Sequence, residues 1–136
     1  PVEQKTKILT VLDEEVPEEL VPLISAFVLL ARSIIEAAST RKGQERRFCD
    51  RLFTLLLLHR ERLLPALPPE ACAELREVAR RMVAAPETVR IVKAATLLEH
   101  VGHREDADLL VEHKPQDEVL GRAYEEAAEV LRKLRC

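Results

Sequence analysis

The segment EHVGHRED holds residue types that could bind a metal ion. Its possible ligands are His100, His103, Glu99, Glu105 and Asp106. A helical zinc site usually places two histidines four residues apart on one continuous helical face. Here the spacing is three, and Gly102 stands between the two histidines. We therefore predict two solvated histidines at a helix end, and neither a metal nor any other cofactor.

The usual patterns of catalytic residues are missing from the sequence. No cysteine lies in a recognised nucleophile context, and His59 falls on an apolar helical face, which is typical of a core histidine. The three glycines do not form a phosphate-binding loop. Carboxylates stand beside Arg and Lys in helical patterns, which indicates solvated faces. We predict that the protein is not an enzyme.

The three cysteines indicate a reducing compartment. Cys49, Cys72 and Cys136 are odd in number and widely spaced, unlike the dense cysteines of a secreted disulfide scaffold. We expect Cys49 and Cys72 to be small core residues with reduced thiols, and Cys136 to be exposed. The predicted location is intracellular, either cytoplasmic or nuclear.

Charge is distributed unevenly along the chain, although the formal net charge is only −3. Between Arg41 and Arg62 there are seven basic and three acidic residues, a local balance of +4. Between Glu99 and Glu129 there are ten acidic and three basic residues, a local balance of −7. Such asymmetry steers association with charged partners, although solubility alone is the simpler interpretation of each segment.

The basic segment provides the candidate partner-binding residues, which are Arg41, Lys42, Arg46, Arg47 and Arg51. An acidic or helical segment of a protein partner would suit them. Nucleic acid is the alternative partner, although the pI of about 5.9 and the lack of a recognition-helix motif speak against it. We expect Arg80 and Arg81 to belong to an ordinary solvated face.

The composition predicts an all-α protein built from packed helices. Hydrophobic residues make up 47% of the 136 residues and aromatic residues only 3%, so Leu, Val, Ile and Ala must fill the core. The length suits one domain covering 1–136. Since the chain begins with Pro1 and ends in a basic helical turn, we expect it to be the C-terminal domain of a larger protein.

The segment LISAFVLLARSIIEAA, residues 23–38, is apolar on nearly every side. The uncharged run from Leu20 to Arg32 is too short to span a membrane, which takes roughly 20 apolar residues. The acidic residues before it do not fit a signal peptide. We predict a central helix that neighbouring helices cover on most sides, and no membrane partner.

Prolines and turn residues divide the chain into seven predicted helices. They cover roughly 2–12, 22–39, 44–64, 69–83, 86–101, 103–113 and 115–134. Short connections favour antiparallel hairpins between consecutive helices. The predicted core face of the helix over 44–64 is Phe48, Leu52, Leu55, Leu56, His59 and Leu63.

Two parts of the chain resemble helical repeats. RLLPAL at 62–67 followed by PETVRIVKAATLLEHVG at 86–102 resembles HEAT or armadillo repeats. In these repeats a Leu-rich helix often ends in a Pro-containing turn, and a later helix carries Val-Arg, Ala-Ala and paired leucines. VGHREDADLLVEH and LGRAYEEAAEVLRKL resemble the tetratricopeptide hairpin, although their glycines are 19 residues apart, too close for a repeat of roughly 34. The resemblance implies a short stack of hairpins that presents a surface to partners, whereas an irregular helical bundle is the alternative. Either suits a scaffold or adaptor domain that docks a partner helix or peptide.

Overall fold

A computed structural model describes residues 21–36, 42–85 and 92–134. The helix predicted over 2–12 lies outside the described residues, as does the start of the helix predicted from Pro86. The described residues form seven helices and no strand, which confirms the all-α prediction. The helices are α1 (Val21–Glu36), α2 (Lys42–Leu58), α3 (Arg60–Ala66), α4 (Pro69–Ala84), α5 (Val92–Val101), α6 (Asp106–Glu112) and α7 (Glu118–Arg132).

The chain divides into two compact units, Pro1–Val78 and Ala79–Cys136. The first ten residues of α4 belong to the first unit, and its last six to the second. The sequence predicted a single domain over 1–136. It predicted no boundary inside α4, because the composition does not change there. Each unit has its own buried side chains and is described separately below.

In the first unit, α1 packs on α2, and the described side chains of α1, residues 22–31, bury one face. Its buried residues are Ile24, Phe27, Val28 and Ala31, at the spacing of a single helical face. Phe27 meets Phe48 of α2 edge to face, with ring centroids 5.9 Å apart. The opposite face is open, since Leu29 is 53% exposed. The prediction that neighbours cover α1 on most sides was therefore wrong, because the hydrophobicity of a helix does not fix how many faces are covered.

The helix predicted over 44–64 is two helices, because the chain breaks at His59 between α2 and α3. Its predicted core face is otherwise confirmed: Phe48, Leu52, Leu55, Leu56 and Leu63 are buried, while His59 is half-buried. α2 begins at Lys42, so Lys42 and Gly43 lie in its first turn rather than in the predicted break. Glycine costs less there than in mid-helix, because first-turn amides have no partner within the helix.

In the second unit, α5 and α6 both pack on α7. α7 buries one face made of Leu120, Gly121, Tyr124, Ala127, Ala128 and Leu131. The buried hydroxyl of Tyr124 donates to the backbone carbonyl of Val83, with an O···O distance of 2.8 Å. Asp117 is the N-cap of α7, and its side chain accepts a hydrogen bond from the Leu120 amide at 2.9 Å.

Gly102 ends α5 at the predicted position, but close packing explains why it is glycine. A Cβ atom at this position would lie 2.5 Å from the carbonyl oxygen of Leu98 and 3.1 Å from Oδ2 of Asp106. The Gly102 amide donates to that same Leu98 carbonyl at 2.6 Å. Any side chain would therefore clash with the last turn of α5 and press on Asp106 at the start of α6.

Within 21–36, 42–85 and 92–134, no helix combines the length and apolarity that crossing a bilayer requires.

Candidate partner-binding surface

Exposed basic residues and one exposed leucine follow each other along α2 and α3. We name this surface the basic ridge, and its members are Arg47, Arg51, Leu58, Arg60 and Arg62, all of them exposed. On α2 the first three are four and then seven residues apart, so they lie on one helical line. Half-buried Thr54 stands between Arg51 and Leu58 on that line. On α2 the ridge thus consists of two arginines followed by an apolar side chain, and two further arginines follow on α3.

The break at His59 turns the end of the ridge into a shallow cleft. His59 has φ −111° and ψ 27°, outside helical values, and α3 resumes at Arg60. Nη1 of Arg60 donates to the carbonyl of Leu57 at 3.0 Å, which satisfies an acceptor at the end of α2 with a cation. Residues 58–62 line a cleft of about 270 Å³.

Leu58 gives the cleft its apolar contact point. It is 59% exposed, whereas its neighbours Leu55 and Leu56 are completely buried. Arg60 and Arg62 stand beside it, and Glu61 is the acidic residue of the cleft lining. An exposed leucine in a cleft that two arginines also line can pack against an aliphatic side chain while the arginines bind carboxylates.

The structure places some of the predicted binding residues and not others. Arg47 and Arg51 are exposed on the ridge. Arg41 lies outside the described residues. Lys42 and Arg46 lie on the helical backbone of α2, and their side chains lie outside what the structure describes.

Sequence reasoning counted Arg60 and Arg62 among the charges of the segment but did not place them in the site. It also missed Leu58. That leucine belongs to the run LLLL, which fits any helical face, so only the position of the buried stripe could have identified it.

Among the described residues, no group of three or more His, Cys, Asp or Glu side chains could hold a metal ion. The side chain of His103 is 51% exposed and its Nδ1 lies 3.7 Å from Glu105. Nε2 of His100 lies 3.8 Å from Glu99.

Asp106, by contrast, is a buried anchor of the second unit. Its side chain is 6% exposed and accepts hydrogen bonds from Nε of Arg80 at 2.7 Å and from Nη2 of Arg80 at 3.0 Å. Its Oδ2 also accepts from the backbone amide of His103 at 2.8 Å. The prediction that Arg80 belongs to an ordinary solvated face was therefore wrong, and the buried Asp106 is an exception to the solvated faces predicted for the carboxylates in general. Their 26-residue separation hides the pair from sequence patterns.

A second cleft, of about 310 Å³, lies before α7. Its polar groups already serve the fold, since Asp117 caps the helix and Nζ of Lys114 pairs with Glu125. Gly121 packs closely here, because a Cβ atom would lie 2.9 Å from the carbonyl oxygen of Pro115. This cleft is part of the turn that starts α7.

Comparison of the chain with protein-family models, with curated proteins and with solved structures finds no match. The resemblance to HEAT or armadillo repeats remains a prediction, and function is argued from the basic ridge itself.

Proposed function

We propose that this protein is a non-enzymatic interaction domain whose basic ridge docks an acidic helix or peptide of a protein partner. The observation that carries the proposal is Leu58, 59% exposed at the end of a line of exposed arginines. The charges of the ridge attract an acidic partner at long range. Leu58 adds an apolar side chain that the partner can bury.

The arrangement of α2 supports a binding role. Arg47 and Arg51 are four residues apart on the exposed side of α2, so one acidic partner segment can contact both. Arginine also suits the task because its planar group binds a carboxylate through two parallel hydrogen bonds.

The ridge would act mainly on the rate of association. Complementary charges accelerate diffusional encounter, and salt screens this effect over about 8 Å at physiological ionic strength. The apolar contact at Leu58 would then slow dissociation, since buried anchors dominate binding energy and rim charges contribute little. A partner segment with acids on one flank and an aliphatic residue at one end fits both requirements.

The experiment is quantitative affinity capture from nuclease-treated cell extract with three forms of the chain. They are the wild type, Arg47→Glu/Arg51→Glu, and the control Arg104→Glu/Arg132→Glu, which makes the same charge change at exposed residues of the second unit. A partner of the ridge is retained by the wild type and the control and lost from the first variant. Its measured association rate should fall about tenfold in that variant at low salt and converge with the wild type as salt rises.

Equal losses in both variants would mean a general charge effect and would refute the ridge as a site. The nucleic-acid alternative is tested by fluorescence anisotropy with random duplex DNA. Tight binding there, with a steep salt dependence that the ridge variant flattens, would replace the proposed protein partner by nucleic acid.

A further inference from the structure

The outer face of α7 carries a second apolar stripe, separate from the face that packs on α5 and α6. Val119 is 72% exposed, Val130 is 43% exposed and Leu134, just beyond the helix, is 38% exposed. Half-buried Ala123 lies between the two valines. Spacings of four and seven residues place Val119, Ala123 and Val130 on one line of α7, about 16 Å long at 1.5 Å per residue, and Leu134 follows in the turn after the helix.

Charged residues border this stripe along one side in alternating sign. They are Glu118, Arg122, Glu129 and Lys133, all exposed. The order along the chain is acid, base, acid, base, again at spacings of four, seven and four. Within the chain, Nζ of Lys133 lies 3.8 Å from Glu129, a surface pair that leaves both groups accessible to further ions.

This charge order is self-complementary in one orientation only. When two copies of α7 lie antiparallel with a two-fold axis level with Glu126, Glu118 faces Lys133 of the second copy. Arg122 then faces Glu129 of the second copy. A parallel two-fold pair would place the two charged rows on opposite sides of the contact, where they could not pair with each other.

The apolar stripe is self-complementary in a register whose centre lies one residue, about 1.5 Å, from that of the charges. Val119 then lies opposite Leu134 of the second copy, and Ala123 lies opposite Val130 of the second copy. Residues at spacings of four and seven are those that interlock when two helices pack along their lengths. A two-fold pairing also forms each contact twice, as in most homodimers.

We propose that the outer face of α7 pairs with the same face of a second copy of this chain, forming an antiparallel two-fold dimer. The interface is a single pair of helices, below the roughly 1,200 Å² of a stable complex, so the dissociation constant should be about 10–100 µM. Glu126 of each copy lies near the axis and limits the affinity. The basic ridge takes no part in this contact.

The test is sedimentation equilibrium of the full chain from about 1 µM to about 1 mM. The wild type should pass from monomer to dimer within this range. Arg122→Glu and Glu129→Arg should each weaken the dimer about tenfold, because each places two like-charged pairs across the axis. The double variant Arg122→Glu/Glu129→Arg restores both pairs and should return to within about threefold of the wild type.

Two further variants separate this contact from a general effect. Val119→Asp should abolish the dimer and leave the far-ultraviolet circular dichroism spectrum unchanged, because the side chain is exposed. Arg104→Glu, an exposed charge reversal away from α7, should leave the dissociation constant unchanged.

Orientation is tested by disulfide cross-linking in a Cys136→Ser background. Glu126→Cys lies near the axis and should form a cross-linked dimer, whereas Val119→Cys should not. A chain that stays monomeric throughout, a double variant as weak as either single one, or equal cross-linking at both positions would overturn the proposal.

Discussion

Replacing Arg80 by Met removes one half of the ion pair that anchors the second unit. The carboxylate of Asp106 accepts three hydrogen bonds, two from Arg80 and one from the His103 amide. In Arg80→Met only the amide remains, while the carboxylate stays in its buried site. Water cannot easily replace the lost donors, because the side chain of Asp106 is 6% exposed.

The expected cost follows from the burial of the two partners. Breaking a fully buried ion pair costs about 3–5 kcal/mol. Because the Arg80 side chain is 28% exposed and water reaches that side of the pair, we expect about 2–3 kcal/mol. For a unit of this size, that corresponds to a fall of about 10–20 °C in melting temperature.

Thermal and urea unfolding followed by circular dichroism at 222 nm measures this loss. Arg104→Met is the matched control. It removes an exposed guanidinium two residues before Asp106 and should change stability by less than about 0.5 kcal/mol. The double variant Arg80→Met/Asp106→Asn removes both charges, keeps a side-chain oxygen that can accept from the His103 amide, and should recover most of the loss. If Arg80→Met were as stable as Arg104→Met, the ion pair would not be an anchor.

Three other substitutions test the packing. Leu56→Asp places an unpaired charge at a completely buried position of α2, so it should abolish cooperative unfolding of the first unit; wild-type helicity and melting temperature would refute the assignment of this core. Tyr124→Phe leaves the carbonyl of Val83 without its hydroxyl donor and should cost about 1–2 kcal/mol in urea unfolding; no loss would mean that the hydrogen bond contributes nothing. Gly102→Ala should cost about 1–3 kcal/mol, because its Cβ would lie 2.5 Å from the Leu98 carbonyl oxygen; a neutral result would mean that the end of α5 adapts without strain.

Sequence periodicity predicted the helices and much of the buried stripe of α2. Phe48, Leu52 and Leu56 recur every four residues, and one buried helical face explains that spacing. The break at His59 was not predictable in the same way, since the apolar pattern continues through it to Leu63.

Long-range contacts account for the rest of what the sequence could not show. The pairing of Arg80 with Asp106 joins the end of α4 to the start of α6, and neither flanking pattern differs from that of a solvated charge. Only part of the basic ridge was predictable from the sequence. Its arginines follow from charge counting, whereas the exposure of Leu58 depends on which side of the LLLL run meets the core.

Photo-cross-linking at position 58 tests the proposed docking surface most directly. A benzophenone amino acid replaces Leu58 in cells, and the control places it at Glu112, an exposed position on α6. We expect a covalent adduct with a protein partner at position 58 that disappears when Arg47 and Arg51 are changed to Glu, and no such adduct at position 112. Three results would contradict the proposed docking surface: an adduct that survives both charge reversals, an adduct with nucleic acid, or no adduct at position 58.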